Sequence, residues 1–221
     1  MIRVTLDRPW LRAHLSRPMR VLSWAPYGAG WRETGLVLWR EVRDRDLGPE
    51  VDALRWLAAR LPEPSAVAMM TSCDIGEWQE ERVAVEEVTA HCVVTLGLTN
   101  AESAGARLGR MAFGYGTINV LVATDAPLSR TGQLEAMSIA VQARTAALLE
   151  HDIPLPTGSV TGTGTDCLAV ACPPGGRQRH AGLHTAVGEA LGAAVRVAVS
   201  RAAGQWLAAR GIVSGAGSRN P

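Results

Sequence analysis

Gly116-Thr117-Ile118-Asn119-Val120-Leu121-Val122-Ala123-Thr124-Asp125-Ala126-Pro127-Leu128 is the stretch on which the reading of this chain turns. Ile118 to Ala123 reads as a buried strand, rich in β-branched residues. Gly114 and Gly116 precede it, and Asp125 and Pro127 end it. Thr117 and Asn119 sit at its entrance. Side chains alternate along a strand, so the two share a face. An alcohol beside an amide can supply a nucleophile and an oxyanion donor. The same pair also reads as two satisfied polar groups at a strand start.

Working outward, short strands are expected at Ile2 to Leu6 and Arg20 to Trp24, punctuated by Pro9 and Pro18. A turn-rich loop, Ala25-Pro26-Tyr27-Gly28-Ala29-Gly30-Trp31, leads to a strand at Glu33 to Val42. Val51, Leu54, Leu57, Ala58 and Leu61 share one helical face, which predicts a helix from Leu47 to Leu61. Ala66 to Thr71 reads as a buried strand, and Arg82 to Thr95 as one or two strands. Residues 100–116 are rich in small side chains and predict a flexible loop into the central strand. A helix capped by Thr131 is expected to run to about His151. Cys167 to Cys172 is another buried strand. The last helix is expected from Thr185 to Ala209, with Gly188 and Gly192 permitting close packing. Strands ahead of a few long helices suggest an α/β or α+β domain with helices covering a sheet. Residues 1–210 read as one domain and 211–221 as a frayed tail.

Composition excludes several chemistries. All 22 basic residues are arginine. The chain therefore has no Schiff-base lysine, no Ser-Lys dyad and no phosphate-loop lysine. A net charge of +1 with scattered arginines gives no case for nucleic acid. Cys73, Cys92, Cys167 and Cys172 form no Cys-x-x-Cys pair, and no histidine stands at ligand spacing from them, so no metal site is expected. Three of the four lie in apolar runs, as buried thiols of a reducing compartment do. No apolar run reaches membrane-span length and no signal peptide is visible, so the expected location is cytoplasmic.

Two further stretches can carry chemistry. Thr161-Gly162-Thr163-Gly164-Thr165-Asp166 alternates hydroxyls with glycines ahead of a carboxylate. Its exposed N–H groups can form an oxyanion nest, and Asp166 can orient a hydroxyl; a flexible hairpin is the alternative. His184 stands just before the last helix, where the helix dipole favours neutral imidazole, a usable general base; it reads equally as a cap or packing residue.

Together these stretches resemble the adenosylcobinamide amidohydrolase (CbiZ) family. The resemblance rests on Leu22-Ser23-Trp24-Ala25, Thr95-Leu96-Gly97-Leu98-Thr99-Asn100-Ala101, Gly116-Thr117-Ile118-Asn119, the helix segment Gln142 to Leu148 and the loop Thr161 to Asp166. It spans about Val21 to Val199. The family tends to carry an acidic residue and a lysine where this chain has Gln142 and Arg144. More distantly, Gly116-Thr117-Ile118 and Val122 to Leu128 are similar to the self-processing D-Ala-esterase/ornithine acetyltransferase group, in which the hydroxyl residue is the nucleophile. That group folds as two sheets packed between helical layers, which implies an αββα sandwich here.

The resemblance implies hydrolysis of the amide joining the aminopropanol arm of adenosylcobinamide to its corrin ring. The corrinoid is then substrate, no cofactor is required, and a homo-oligomer is compatible with the reading. Thr117 would attack the amide carbonyl. Asn100 or Asn119, with the Gly/Thr loop, would stabilise the oxyanion, and Asp166 or His184 would handle protons. Asn100, Asp125, Thr161, Thr163, Thr165 and Trp24 would contact substrate. Two other readings stand beside this one: a non-catalytic corrinoid-binding module, and a water-mediated hydrolase with Asp166 or His184 as base.

Overall fold

Seven consecutive buried residues, Ile118 to Thr124, form the strand around which the chain folds. A strand apolar on both faces needs cover on both, and that demand sets the layering. The computed structural model describes residues 1–48, 50–108 and 116–212. In chain order its elements are β1 (Ile2–Asp7), β2 (Trp10–Ser23), β3 (Gly30–Glu41), α1 (Ala53–Ala58), β4 (Val67–Thr71), β5 (Gln79–Val85), β6 (Val88–Leu96), β7 (Ala101–Glu102), β8 (Ile118–Thr124), α2 (Arg130–Glu150), β9 (Pro154–Leu155), β10 (Gly158–Ser159), β11 (Gly162–Thr163), β12 (Cys167–Cys172) and α3 (Ala186–Ala208). The main sheet runs β4-β3-β2-β12-β8-β6-β5, with β1 on the first half of β2. β12 pairs with β8, and β3 with β4, in parallel. The other pairings in this sheet are antiparallel.

Alternation divides the core. Ile118, Val120 and Val122 pack with Leu168, Val170 and the inner faces of α2 and α3. Leu121 and Ala123 face the other way, onto Leu11, Val37, Trp39 and Met69 of the β1–β4 half. The sheet therefore folds over itself through β2, which belongs to both halves. The expected two-layer sandwich is present, built from one continuous hydrogen-bonded sheet. Each large side chain here contributes about 1.5–3 kcal/mol by burial. Long helices cover one outer face. On the other, α1 sets Leu57 against Trp10, Leu38 and Ala68. A Cβ placed at Gly192 on α3 would stand 3.4 Å from Ile139 of α2, an ordinary contact, so the packing of these two helices does not require glycine there.

Some boundaries differ from expectation. Pro18 does not end a strand: β2 runs through it, and a register shift between His14 and Met19 absorbs the missing donor. The helix expected over residues 47–61 shrinks to six residues. Asp52 starts it, accepting from the N–H groups of Leu54 and Arg55, and Val51 and Leu54 stay exposed rather than packed. Ser129, not Thr131, caps α2. Residues 82–95 belong to a hairpin turning at Glu86, whose φ is 51°. Part of the expected loop at 100–116, and all but the first two residues of the expected tail, lie outside the described residues. Among the described residues, no helix is long and apolar enough to cross a membrane.

His91 of β6 ties the amino-terminal strand down. Its Nδ1 accepts from the Ile2 N–H at 3.3 Å, and Nε2 faces Glu80. Burial holds its pKa below the ordinary imidazole value, against the pull of Glu80. A histidine with a depressed folded pKa contributes stability above its unfolded pKa, lost as pH falls through the folded one. Urea denaturation is therefore expected to show stability falling as pH drops below the ordinary imidazole range, and His91→Gln should flatten that slope.

Candidate active site

Parallel pairing brings the two loaded strand entrances together. Asn119 lies opposite Cys167, so Thr117 and Asp166 stand at the same end of adjacent strands. β6 runs antiparallel and exits there with Gly97 to Asn100; the Gly97 N–H donates to the Thr117 carbonyl at 3.0 Å. β4 delivers Thr71 to Cys73 from the opposite half of the sandwich, and Cys73 Sγ donates to the same carbonyl at 3.8 Å. Four segments meet around one hydroxyl.

That hydroxyl is held from two sides. Thr117 Oγ1 lies 2.8 Å from the Thr165 carbonyl oxygen and 3.2 Å from Asn119 Oδ1, both acceptors for its single proton. Asn119 cannot rotate freely, because its Nδ2 donates to the Met70 carbonyl at 2.7 Å. Its oxygen, not its nitrogen, meets Thr117. Asn119 therefore positions the hydroxyl, which corrects the expected donor role. Asn100 has the donor orientation instead: its Nδ2 lies 3.5 Å from Thr165 Oγ1, which donates to the Gly116 carbonyl at 3.0 Å. Thr117, Thr165 and Gly116 line a cavity of about 300 Å³ together with Pro26, Val42 and Met70.

Asp166 is built into the frame. Oδ1 accepts from the Ile118 N–H at 3.1 Å and from the Thr163 hydroxyl. Oδ2 accepts from the Thr163 N–H at 3.1 Å and pairs with Arg144 of α2. The side chains of this ion pair are 12% and 7% exposed. Burial pushes the Asp166 carboxyl above the usual carboxylate range, opposed by Arg144 and the hydrogen bonds from Thr163 and Ile118. A Cβ at Gly162 would stand 2.7 Å from Oδ2, so only glycine lets the loop close over the carboxylate. With both oxygens engaged, Asp166 anchors the Gly/Thr loop rather than shuttling protons.

The remaining predicted residues divide by position. Trp24 is half-exposed and donates its indole N–H to the Asp166 carbonyl at 2.7 Å, bracing the loop. Thr161 Oγ1 accepts from the Ala104 N–H and sits further along the loop, where β11 pairs with β7. Asp125 and His184 are not in the site. Asp125 terminates β8 at its other end, accepting from the Thr89 N–H. His184 lines a separate surface pocket with Glu135, Gln142 and His180, beyond the far end of β12. A seven-residue strand separates the ends by roughly 23 Å, so His184 cannot reach Thr117.

Sequence reasoning missed Arg144 and Cys73. A signal for Arg144 was present: it is the one charged residue between Ala136 and Leu149, on a helix otherwise built to pack. A carboxylate ahead of a buried strand needs such a partner. Cys73 carried no signal, since its place depends on the fold-over of the sheet.

The chain matches the adenosylcobinamide amidohydrolase (CbiZ) family over residues 2–211, nearly its whole length, and it belongs to that family. It is accordingly a hydrolase of carbon–nitrogen amide bonds. No curated protein matches it. Among solved structures, a β-aminopeptidase from Burkholderia sp. is similar at 14% identity, covering 91% of this chain and 79% of its own, with a TM-score of 0.45. The PH0078 protein from Pyrococcus horikoshii OT3 is similar at 12% identity, covering 87% and 76%, with a TM-score of 0.42.

Removing one partner of a buried ion pair strands the other. Arg144→Met is expected to cost about 3 kcal/mol or more in urea denaturation. Arg144→Lys, which keeps the charge but not the fork, should recover part of it.

Proposed function

We propose that this chain hydrolyses the amide joining the aminopropanol arm of adenosylcobinamide to its corrin ring, releasing adenosylcobyric acid, with Thr117 as nucleophile. The observation that carries this reading is the Thr117 hydroxyl, fixed at 2.8 Å from the Thr165 carbonyl on the wall of an open cavity. The hydroxyl attacks the amide carbonyl. The oxyanion so formed is met by donors on the Asn100–Thr165 side. The amine departs with a proton, and water then cleaves the Thr117 ester. The corrinoid is substrate rather than resident cofactor, and we infer that the reaction is cytoplasmic.

The proton of Thr117 Oγ1 needs an acceptor stronger than the two oxygens beside it, since neither an amide nor a peptide carbonyl is a base at neutral pH. Among the described residues, Asp166 is engaged and His184 is remote. This favours a second reading within the first: the chain cleaves its own Gly116–Thr117 peptide, and the freed α-amine of Thr117 becomes the base. A specific contact supports it. The Gly116 carbonyl oxygen already accepts from Thr165 Oγ1 at 3.0 Å, with Asn100 Nδ2 behind, as a polarised acyl group would. The water-mediated reading loses support for the same reason, because neither proposed base stands free beside Thr117.

Thr117→Ala is expected to lower release of aminopropanol from adenosylcobinamide by about a thousandfold or more; near-normal turnover would remove Thr117 from the chemistry. The purified wild-type chain, weighed intact, should appear as two fragments meeting at Thr117. Thr117→Ala should keep one full-length mass. Binding of the corrinoid without any turnover would instead favour the carrier module.

A further inference from the structure

Two cavities meet at this site, and attack by Thr117 uses only one. The smaller, about 300 Å³, suits an arm and not a corrin macrocycle, which is several times larger than any side chain lining it. The larger, about 580 Å³, adjoins it: Ser72 lines both. Cys73 and Gly97 line the larger one beside Ser72. A Cβ at Gly97 would lie 2.4 Å from Cys73 Sγ, so any other residue there would drive Cys73 out of the wall. Cys73, on the wall of the larger cavity, donates from Sγ to the carbonyl of Thr117, on the wall of the smaller, at 3.8 Å.

The walls of the larger cavity have a definite chemistry. Asp74 and Glu77 present carboxylates, Asp74 with its Oδ1 already paired with Arg8 and accepting from the Gly76 N–H, and Gln205 presents an amide bonded to Glu77. Trp206 turns its indole Nε1 toward Gly97, 3.8 Å from a Cβ placed there. That N–H has no acceptor among the described residues, an open donor at the edge of a void. Arg210 stacks on the same indole at 4.1 Å, adding a cation. Acceptors and donors therefore line one opening together, a mixture that suits neutral primary amides, whose nitrogen donates and whose oxygen accepts. A simple anion would meet two carboxylates, and a simple cation would meet Arg210.

We propose that the larger cavity seats the amide-bearing edge of the corrin ring, while the arm carrying the scissile bond crosses Ser72 and Cys73 to Thr117. This rests on the amidohydrolase reading and adds where the ring lies. Asp74 and Glu77 accept from carboxamide N–H groups of the ring periphery. The Trp206 indole and Arg210 donate to carboxamide oxygens.

Cys73 reports on occupancy. The other three cysteines are buried, and burial pushes their thiols up, Cys167 to about 12. A maleimide at neutral pH therefore labels Cys73 first. The Thr117→Ala protein is mixed with dicyanocobinamide, a coloured probe, and followed by gel filtration and by the rate of Cys73 alkylation. The expected result is co-elution of colour with protein and alkylation slowed at least about tenfold at saturation, as covering a partly exposed thiol requires. Co-elution with unchanged alkylation would overturn the seating while leaving the amidohydrolase reading intact. No co-elution, together with no turnover of adenosylcobinamide by the wild-type protein, would overturn both. As a second readout, Trp206→Phe deletes the N–H but keeps an aromatic ring, a smaller one. KM for adenosylcobinamide should rise about two- to tenfold with kcat preserved; an unchanged KM would count against the proposal.

Discussion

The parallel pairing of β8 with β12 is the constraint on which the site depends. Two strands entering a sheet in the same direction put their preceding residues side by side, whatever their separation in sequence. Thr117 and Asp166 are 49 positions apart in chain count and share one strand end because Asn119 lies opposite Cys167. Had the two strands paired antiparallel, Asp166 would stand beside Asp125, and the Gly/Thr loop would close over the wrong end. The crossover that parallel pairing demands is supplied by α2, and α2 in turn carries Arg144 back to Asp166. Connection and site frame are thus the same piece of chain.

The buried ion pair then fixes the loop. Asp166 gathers the Ile118 N–H of one strand, both donors of Thr163 and the Arg144 guanidinium. A carboxylate so deeply placed is tolerated only while all of these donors are present. What the arrangement yields is position: the Thr165 carbonyl is held where it meets Thr117 Oγ1, and the Thr165 hydroxyl where it meets Gly116. The second half of the sandwich contributes from below, through the Met70 carbonyl on Asn119 and the Cys73 thiol on Thr117. Neighbours on both sides thus fix where the Thr117 hydroxyl stands, while removal of its proton needs a base besides.

Much of this was legible in the sequence, and the rest has physical reasons for being hidden. The apolar runs at 118–124 and 167–172 announce buried strands, and the run of hydroxyls and glycines before Asp166 announces a loop with chemistry in it. Those signals are local. The length of β2 was hidden because a bulge accommodates Pro18, which a propensity argument reads as a stop. The hairpin at Glu86 was hidden because its turn carries neither glycine nor asparagine. His184 looked promising because its helix-start position is favourable in itself. Only the direction of α3, which begins at the far end of the sheet and finishes beside Gly97, removes it from the site. Asn119 could be placed at the entrance but its orientation could not, since the Met70 carbonyl that turns it arrives from a different layer.

The central claim is that a threonine hydroxyl, and not water, makes the first attack on the substrate amide. Partitioning with hydroxylamine tests it most directly. If Thr117 forms an ester, that ester is divided between water and hydroxylamine after the amine has left, so corrinoid hydroxamate should grow at the expense of adenosylcobyric acid while release of aminopropanol keeps its rate. Free acid as the sole product at every hydroxylamine concentration, with aminopropanol still released, would contradict the account.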